Sequence, residues 1–157
     1  MSTQNNLPNK TVNAAGLAPI KTFESLRLNV YVDVANQRTI GYGHKLSGNE
    51  KLTHITVAEA DKLLLIDVGR AAATVNSAVN VPLSQNQFNA LVSFVFNIGD
   101  TAFRHSTLVA LLNRGSYRAA ADQMLRWDKA TVGVQLMVVP GLRARRQMER
   151  LVFLGKN

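Results

Sequence analysis

The apolar positions change from helical to extended spacing early in the chain. Between residues 17 and 30 apolar side chains recur every three to four positions, which predicts an amphipathic helix that ends near Asn29. Residues 31–44 are then rich in β-branched and aromatic side chains. They predict two short strands joined by a tight loop, with Asn36 at positive φ, followed by a third strand or a loop as far as Ile55.

Helical spacing resumes at Thr56 and predicts helices for the rest of the chain. Two hydroxyl residues, Thr56 and Ser84, are each followed three positions later by Glu or Gln, which is the spacing of a capping box. We expect the first of these helices to run to about Ser77 and the second to end at Gly99. Shorter helices are predicted over residues 107–113, 116–127 and 140–154.

These elements predict one α+β domain with two lobes. The first residues are polar and without periodicity, so residues 1–15 are expected to form a flexible tail. The domain proper is expected over residues 16–157, with a small β lobe at about 30–55 and a helical lobe at about 56–157. A cleft between the lobes is the expected place for a substrate.

Composition narrows the possible function classes. The 157 residues include no cysteine, which excludes disulfides and thiolate metal sites, and no metal or cofactor motif is present. The N-terminus lacks the pattern of a secretory signal, and no apolar run is long enough for a membrane span.

The net charge of +8 is concentrated in the last third of the chain. Residues 1–100 carry eight Lys/Arg against seven Asp/Glu, whereas residues 101–157 carry ten against three. This asymmetry indicates either an anionic partner or a surface that only keeps the protein in solution.

Three residues near the predicted hairpin could carry out glycoside hydrolysis. That reaction needs an acid at the leaving oxygen and, for inversion, a second carboxylate that holds a water on the opposite face of the sugar. Glu24 lies near the end of the first predicted helix, and Asp33 and Thr39 lie in the hairpin. If the loop has an odd number of residues centred on Asn36, Asp33 and Thr39 are directly opposed; a two-residue loop would put them out of register.

The sequence resembles a known family, the phage T4-type lysozymes or endolysins of glycoside hydrolase family 24. The resemblance extends over about residues 17–154. Its strongest segments are Phe23-Glu-Ser-Leu-Arg-Leu28, Tyr31-Val-Asp33, Thr39-Ile-Gly-Tyr-Gly-His44, Phe96-Asn-Ile-Gly99 and Pro140-Gly-Leu-Arg-Ala-Arg-Arg146.

The resemblance implies a lysozyme-like fold and a role for each matching residue. Glu24 matches the family's general acid, and Asp33 and Thr39 match the pair that positions the attacking water. Phe96 and Asn97 match residues that line the cleft, and Arg143 matches a basic residue near the acid.

Four further residues of the same segment deserve a prediction or differ from the family pattern. Gly43 is expected to allow close approach of substrate. His44 is either a sugar ligand or, as we favour, a structural histidine paired with Asp61 or Asp67. Ser25 and Asn36 stand where the family often has glycine.

The implied activity is hydrolysis, with inversion, of the β-1,4 bond between N-acetylmuramic acid and N-acetylglucosamine in bacterial peptidoglycan. The family's role implies a monomer without cofactors that accumulates in the host cytoplasm. It would reach the periplasm and cell wall at lysis, through a separate holin. The basic segment from Arg143 onward could contact anionic outer-membrane lipid, although its apolar residues are expected to pack into the body.

Two alternatives remain open from the sequence alone. A lytic transglycosylase would need the acid but no water-holding Asp33. A non-catalytic wall- or membrane-binding module would act through its basic C-terminal face. Nucleic-acid binding is not expected, because the basic region lacks interleaved aromatic residues and any recognisable motif.

Overall fold

A computed structural model describes residues 7–155 as an α+β protein, as the sequence predicts. The helices are α1 (Ala14–Glu24), α2 (Val57–Ala78), α3 (Gln85–Ile98), α4 (Asp100–Arg104), α5 (Thr107–Asn113), α6 (Tyr117–Gln123), a 3₁₀ turn (Met124–Arg126) and α7 (Pro140–Phe153). The strands are β1 (Arg27–Val32), β2 (Arg38–Gly41), β3 (His44–Lys45), β4 (Lys129–Val132) and β5 (Gln135–Val138).

The β lobe is an antiparallel sheet in the order β1-β2-β3. Its small core consists of Ile40, Ile55 and Ala60, the last of which belongs to α2. The lobe is therefore attached to the helical body through one face of α2.

The first helix ends at Glu24, five residues before the predicted end at Asn29. Ser25 has φ +56° and ψ 151°, which no helical residue adopts, and β1 begins two residues later. The apolar residues that continued the helical pattern, Leu26 and Val30, lie in the turn and the strand instead.

The helical lobe is built around α3. Its largest fully buried side chains include Phe88, Leu91 and Phe94, and α1, α2 and α7 all pack against this helix. Both predicted capping boxes are confirmed: the hydroxyls of Thr56 and Ser84 accept backbone N–H bonds three residues on, which fixes where α2 and α3 begin.

The prediction of helices throughout the second half is wrong in one place. Residues 129–138 form the hairpin β4-β5, whose two-residue loop has Gly133 at φ +66° in its first position, as in a type II′ turn. The β-branched residues around this glycine were the available signal. The predicted helix over 116–127 ends earlier, with α6 at Gln123 and a 3₁₀ turn after it.

The expectation of a flexible tail over residues 1–15 is corrected where the structure describes it. The Lys10 backbone N–H donates to Asn76 Oδ1 at 3.0 Å, and the Lys10 carbonyl accepts from Asn76 Nδ2 at 2.9 Å. Asn13 caps α1. Residues 1–6 of the predicted tail lie outside the described residues. Within residues 7–155, no helix has both the length and the apolar character needed to cross a bilayer.

Candidate active site

A groove of about 340 Å³ lies between the two lobes. Its lining includes Gly43 and Lys45 from the β lobe, Arg70 from α2, and Phe96 and Asn97 from α3. Three of the five predicted substrate-binding residues, Gly43, Phe96 and Asn97, are therefore brought together. A larger cavity of about 560 Å³ lies between residues 9–12 and α2, and no predicted site residue is among the described residues that line it.

The predicted acid, Glu24, is the last residue of α1. Its Oε1 accepts a hydrogen bond from Arg145 Nη1 at 2.7 Å. Its Oε2 faces Gly43, because a β-carbon built on Gly43 would lie only 2.5 Å from that oxygen. One carboxyl oxygen is thus held by a buried arginine, and the other points toward a residue of the groove.

The arginine beside Glu24 is Arg145, so the assignment of Arg143 to this place is corrected. Arg143 is half-exposed, and its Nε lies 3.3 Å from Asp128 Oδ2. Residues two apart on a helix point about 200° apart, so only one of these two arginines of α7 can face α1. Lys129 and Arg143 together hold the pKa of the Asp128 carboxyl below its usual range.

Asp33 follows the last residue of β1 and is held by the hairpin backbone. Its Oδ1 accepts the N–H groups of Gln37 and Ala35, both at 2.9 Å. The Gln37 N–H makes the largest contribution to lowering the pKa of Asp33, burial opposes it, and the Ala35 N–H and the positive charge of Lys45 add to the lowering. Asp33 is therefore an ionised carboxylate whose second oxygen, Oδ2, takes no part in these two bonds.

The hairpin loop has an odd number of residues, 34–36, but it is centred on Ala35 rather than on Asn36. Tyr31 therefore opposes Thr39, and Asp33 is its diagonal neighbour. Asp33 and Thr39 nevertheless approach each other, with 3.4 Å between Oδ2 and Oγ1, while Thr39 Oγ1 lies closer to the Gln37 carbonyl at 3.0 Å. A hydroxyl has one hydrogen, so we assign it to the shorter contact. Asn36 has φ +62°, as predicted.

A buried ionic network connects Glu24 to the groove. Arg145 also donates to the Ser93 carbonyl, and its Nε lies 3.5 Å from Glu149 Oε2. Arg146, which is 0% exposed, binds both Glu149 Oε1 and Asn97 Oδ1.

Glu149 completes this network by accepting a 2.6 Å hydrogen bond from the Ser93 hydroxyl. Burial raises the pKa of Glu149 against the opposing effect of the two arginines. Glu149 and Arg146 were not predicted as residues of the site, because charged residues of a basic helix are usually solvated.

His44 is a buried structural histidine, although it carries one partner more than predicted. Its Nδ1 lies 2.7 Å from Asp67 Oδ2, which selects Asp67 over Asp61, and its Nε2 lies 2.9 Å from Glu50 Oε2. Burial opposes protonation, but the bonds to Glu50 and Asp67 outweigh it and the pKa of His44 is raised. The backbone N–H of Ser47 and the bond to His44 lower the pKa of Glu50 to about 2.

These three residues do not resemble a metal site, because the two carboxylates bind opposite nitrogens of the ring. Among residues 7–155, no group of three His, Cys, Asp or Glu side chains converges as metal ligands do.

Tyr31 is a further residue of the site that sequence analysis did not single out. Burial raises the pKa of its phenol, the Arg27 guanidinium 4.7 Å from the ring centroid opposes this, and the charges of Glu24 and Asp33 both add to it. The phenol thus lies within electrostatic reach of both carboxylates. Its position two residues before Asp33 was the available signal, because alternate strand residues share a face.

Comparison with known proteins places this geometry in a family. The phage lysozyme family matches residues 21–149. The endolysin of Acyrthosiphon pisum secondary endosymbiont phage 1 is 42% identical over 142 residues, which are 90% of this chain and 97% of that relative.

Two solved structures are similar over nearly the whole chain. The endolysin from Escherichia coli O157:H7 phage FAHEc1 has a TM-score of 0.85 at 39% identity, covering 94% of this chain and 95% of its own. The muramidase domain of SpmX from Asticaccaulis excentricus has a TM-score of 0.84 at 40% identity, covering 92% and 97%. With its family match, its endolysin relatives and its lysozyme fold, the chain belongs to the phage lysozyme family.

Proposed function

We propose that the protein is a T4-type (glycoside hydrolase family 24) muramidase that hydrolyses, with inversion, the β-1,4 bond between N-acetylmuramic acid and N-acetylglucosamine. The observation that carries this proposal is the different setting of the two carboxyl groups. Glu24 keeps one oxygen beside Gly43, a residue that lines the groove, whereas Asp33 is held ionised by the backbone of its own hairpin.

In this mechanism Glu24 supplies the proton for the leaving group. Its Oε1 is held by Arg145, so Oε2 is the atom that meets the glycosidic oxygen beside Gly43. As the bond between the anomeric carbon and that oxygen breaks, the proton of Glu24 moves to the oxygen, and Glu24 is left as a carboxylate.

Asp33 activates the water on the opposite face of the sugar. Its Oδ1 is fully used by the Gln37 and Ala35 N–H groups, which leaves Oδ2 to accept a hydrogen from water. The water oxygen forms the new bond to the anomeric carbon, and its proton moves to Asp33. Thr39 is almost fully buried beside Oδ2, and its hydroxyl oxygen, whose hydrogen is donated to the Gln37 carbonyl, keeps a lone pair that can accept a second hydrogen bond from this water.

The groove supplies contacts suited to an amino sugar polymer. The half-buried ring of Phe96 offers an apolar surface to a sugar face, and the Asn97 amide group, whose Oδ1 is bound by Arg146, retains its N–H donors for substrate. Lys45 and Arg70 line the same groove and can pair with the carboxylates of the wall's peptide stems, because the two acids of the lining, Asp67 and Asp100, are already bonded to other side chains. His44 supports the lobe rather than the sugar, since both ring nitrogens are occupied.

The cellular role follows that of the endolysin relatives. We propose that the monomeric enzyme accumulates in the host cytoplasm, reaches the peptidoglycan through a separate holin and causes lysis without a cofactor or nucleic acid. Contact of the basic C-terminal segment with anionic outer-membrane lipid stays a prediction. Two arginines of that segment, Arg145 and Arg146, are buried and therefore unavailable for it.

The test is an analysis of the products from purified peptidoglycan. Proton NMR at early times is expected to show the α-anomer of a new reducing N-acetylmuramic acid, and Glu24→Gln is expected to lose at least about a thousandfold in rate. A 1,6-anhydro product would replace the proposal with a transglycosylase. Clearing of cells by Glu24→Gln at the wild-type rate would indicate a non-catalytic binding module.

A further inference from the structure

The hairpin β4-β5 projects apolar side chains into solvent on both of its faces. Val132 and Met137 lie on one face, Leu136 and Val138 on the other, and all four are exposed. Val134, at the tip, is 98% exposed, and Leu136 is 69% exposed. A hairpin that covers a protein core alternates apolar and polar faces, so this hairpin is not built to cover the body of the protein.

Cations surround the base of the hairpin, whereas its outer part carries no charge. Residues 130–139 contain no Asp, Glu, Lys or Arg. Arg126, Lys129 and Arg143 are exposed next to that segment. The neighbouring acid, Asp128, is buried and paired with Lys129 and Arg143, so the three cations and this one carboxylate leave a net charge of +2 at the base.

We propose that this hairpin is a membrane-docking element that inserts into the surface of a bilayer containing anionic lipid. An apolar tip with cations behind it matches the layering of such a bilayer, where acyl chains lie beneath negatively charged headgroups. Strands of four residues extend about 13 Å, which exceeds the roughly 5–10 Å depth of the boundary between headgroups and chains. The cations of the base then lie at the level of the phosphates.

This inference is independent of the proposed hydrolysis. Docking would keep the enzyme at the membrane that borders the wall, whereas cleavage of soluble glycan needs only the groove. Failure of one assay therefore leaves the other unaffected. The alternative partner of this hairpin is a second copy of the chain, which would pair with it edge to edge.

The first experiment measures vesicle binding by co-sedimentation. We expect the full-length protein to bind vesicles containing about a quarter phosphatidylglycerol, to bind phosphatidylcholine alone far more weakly, and to be released by salt. The double variant Val134→Asp/Leu136→Asp should bind at least about tenfold more weakly. The matched control is Val57→Asp/Leu65→Asp on α2, because these side chains are 51% and 57% exposed and the added charge is the same.

The second experiment places a reporter at the tip of the hairpin. The chain has no cysteine, so Val134→Cys can carry a single environment-sensitive dye, with Leu65→Cys as its control. Anionic vesicles should shift the emission to the blue at position 134 and leave it unchanged at position 65. Either equal vesicle binding by the double variant and wild type, or an unshifted dye at position 134, would overturn the proposal. A wild-type dimer that the double variant converts to monomer would assign the hairpin to self-association instead.

Discussion

A β-carbon on Gly43 would lie 2.5 Å from Oε2 of Glu24, so the two residues are in contact only because position 43 has no side chain. Gly43 also has φ +73°, a conformation that L-residues with a side chain adopt at a cost. This glycine therefore allows the β lobe to approach the proposed acid closely.

The first prediction is that Gly43→Ala displaces the Glu24 carboxylate and lowers the rate of peptidoglycan cleavage about a hundredfold, because a shift of about 1 Å in a reacting group has effects of this size. The control is Gly115→Ala, at φ +80° with open space around it. It should lose about 1 kcal/mol of unfolding free energy and keep its activity. Equal activities of the two variants would contradict the proposed role of the contact.

The second prediction separates the two arginines of α7. Arg145→Met should lower both activity and the free energy of unfolding, the latter by about 3 kcal/mol, since it leaves Glu24 and the buried Glu149 without a shared cation. Arg143→Met removes a half-exposed partner of Asp128 and should change stability by less than about 1 kcal/mol. Urea unfolding and initial rates measure both effects, and similar losses in the two variants would contradict this assignment.

The third prediction concerns the proposed base. Asp33→Asn keeps an oxygen that can accept the Gln37 and Ala35 N–H groups, so the hairpin should stay folded while the rate falls by about a thousandfold. The pKa of Asp33 is lowered, so any acid-side loss of wild-type activity that arises from Asp33 should occur below the usual range of an aspartate.

Thr39→Val and Thr39→Ser form the matched pair for the hydroxyl beside Asp33. Valine should lose about tenfold or more in rate because it leaves the Gln37 carbonyl and Asp33 without this contact. Serine should retain most of the rate. A fully active Thr39→Val would remove Thr39 from the mechanism.

The fourth prediction is a pH dependence of stability that arises from His44. Its pKa is raised in the folded protein, so the stabilisation is fully present below the ordinary value of about 6.5 and is lost as pH rises through the folded-state pKa. Urea unfolding from pH 6 toward alkaline pH should show this decrease in wild type. His44→Gln should be less stable at pH 6, by about 2 kcal/mol, and should lack the decrease. The exposed His105→Gln should behave like wild type, and a pH profile unchanged by His44→Gln would exclude this origin.

Local sequence signals predicted much of the fold. The hydroxyl-to-Glu or Gln spacing at Thr56 and Ser84 located the start of α2 and α3, because capping is decided within one helical turn. The β4-β5 hairpin was missed because its apolar run has no polar alternation, which is the usual sign of a strand.

The site was predictable only where the chemistry is local. Glu24, Asp33 and Thr39 lie in one continuous segment, and the last two approach to 3.4 Å, although as diagonal neighbours and not directly opposed as predicted. The choice between Arg143 and Arg145 depends on how α7 is rotated against α1, which no local pattern encodes. The identity of Asp67 as the partner of His44 likewise depends on the register of α2 beneath the β lobe. The second partner, Glu50, lies in the loop between β3 and α2.

Within residues 7–155, the two non-glycine residues with positive φ are Ser25 and Asn36, which lie at the two turns that present Glu24 and Asp33. A free peptide of this sequence would leave both conformations, each of which costs on the order of 1 kcal/mol or more. The surrounding packing must therefore hold the catalytic segment in a shape that it would not keep alone. We therefore expect mild denaturant to abolish the activity of the enzyme at concentrations that leave its helices folded.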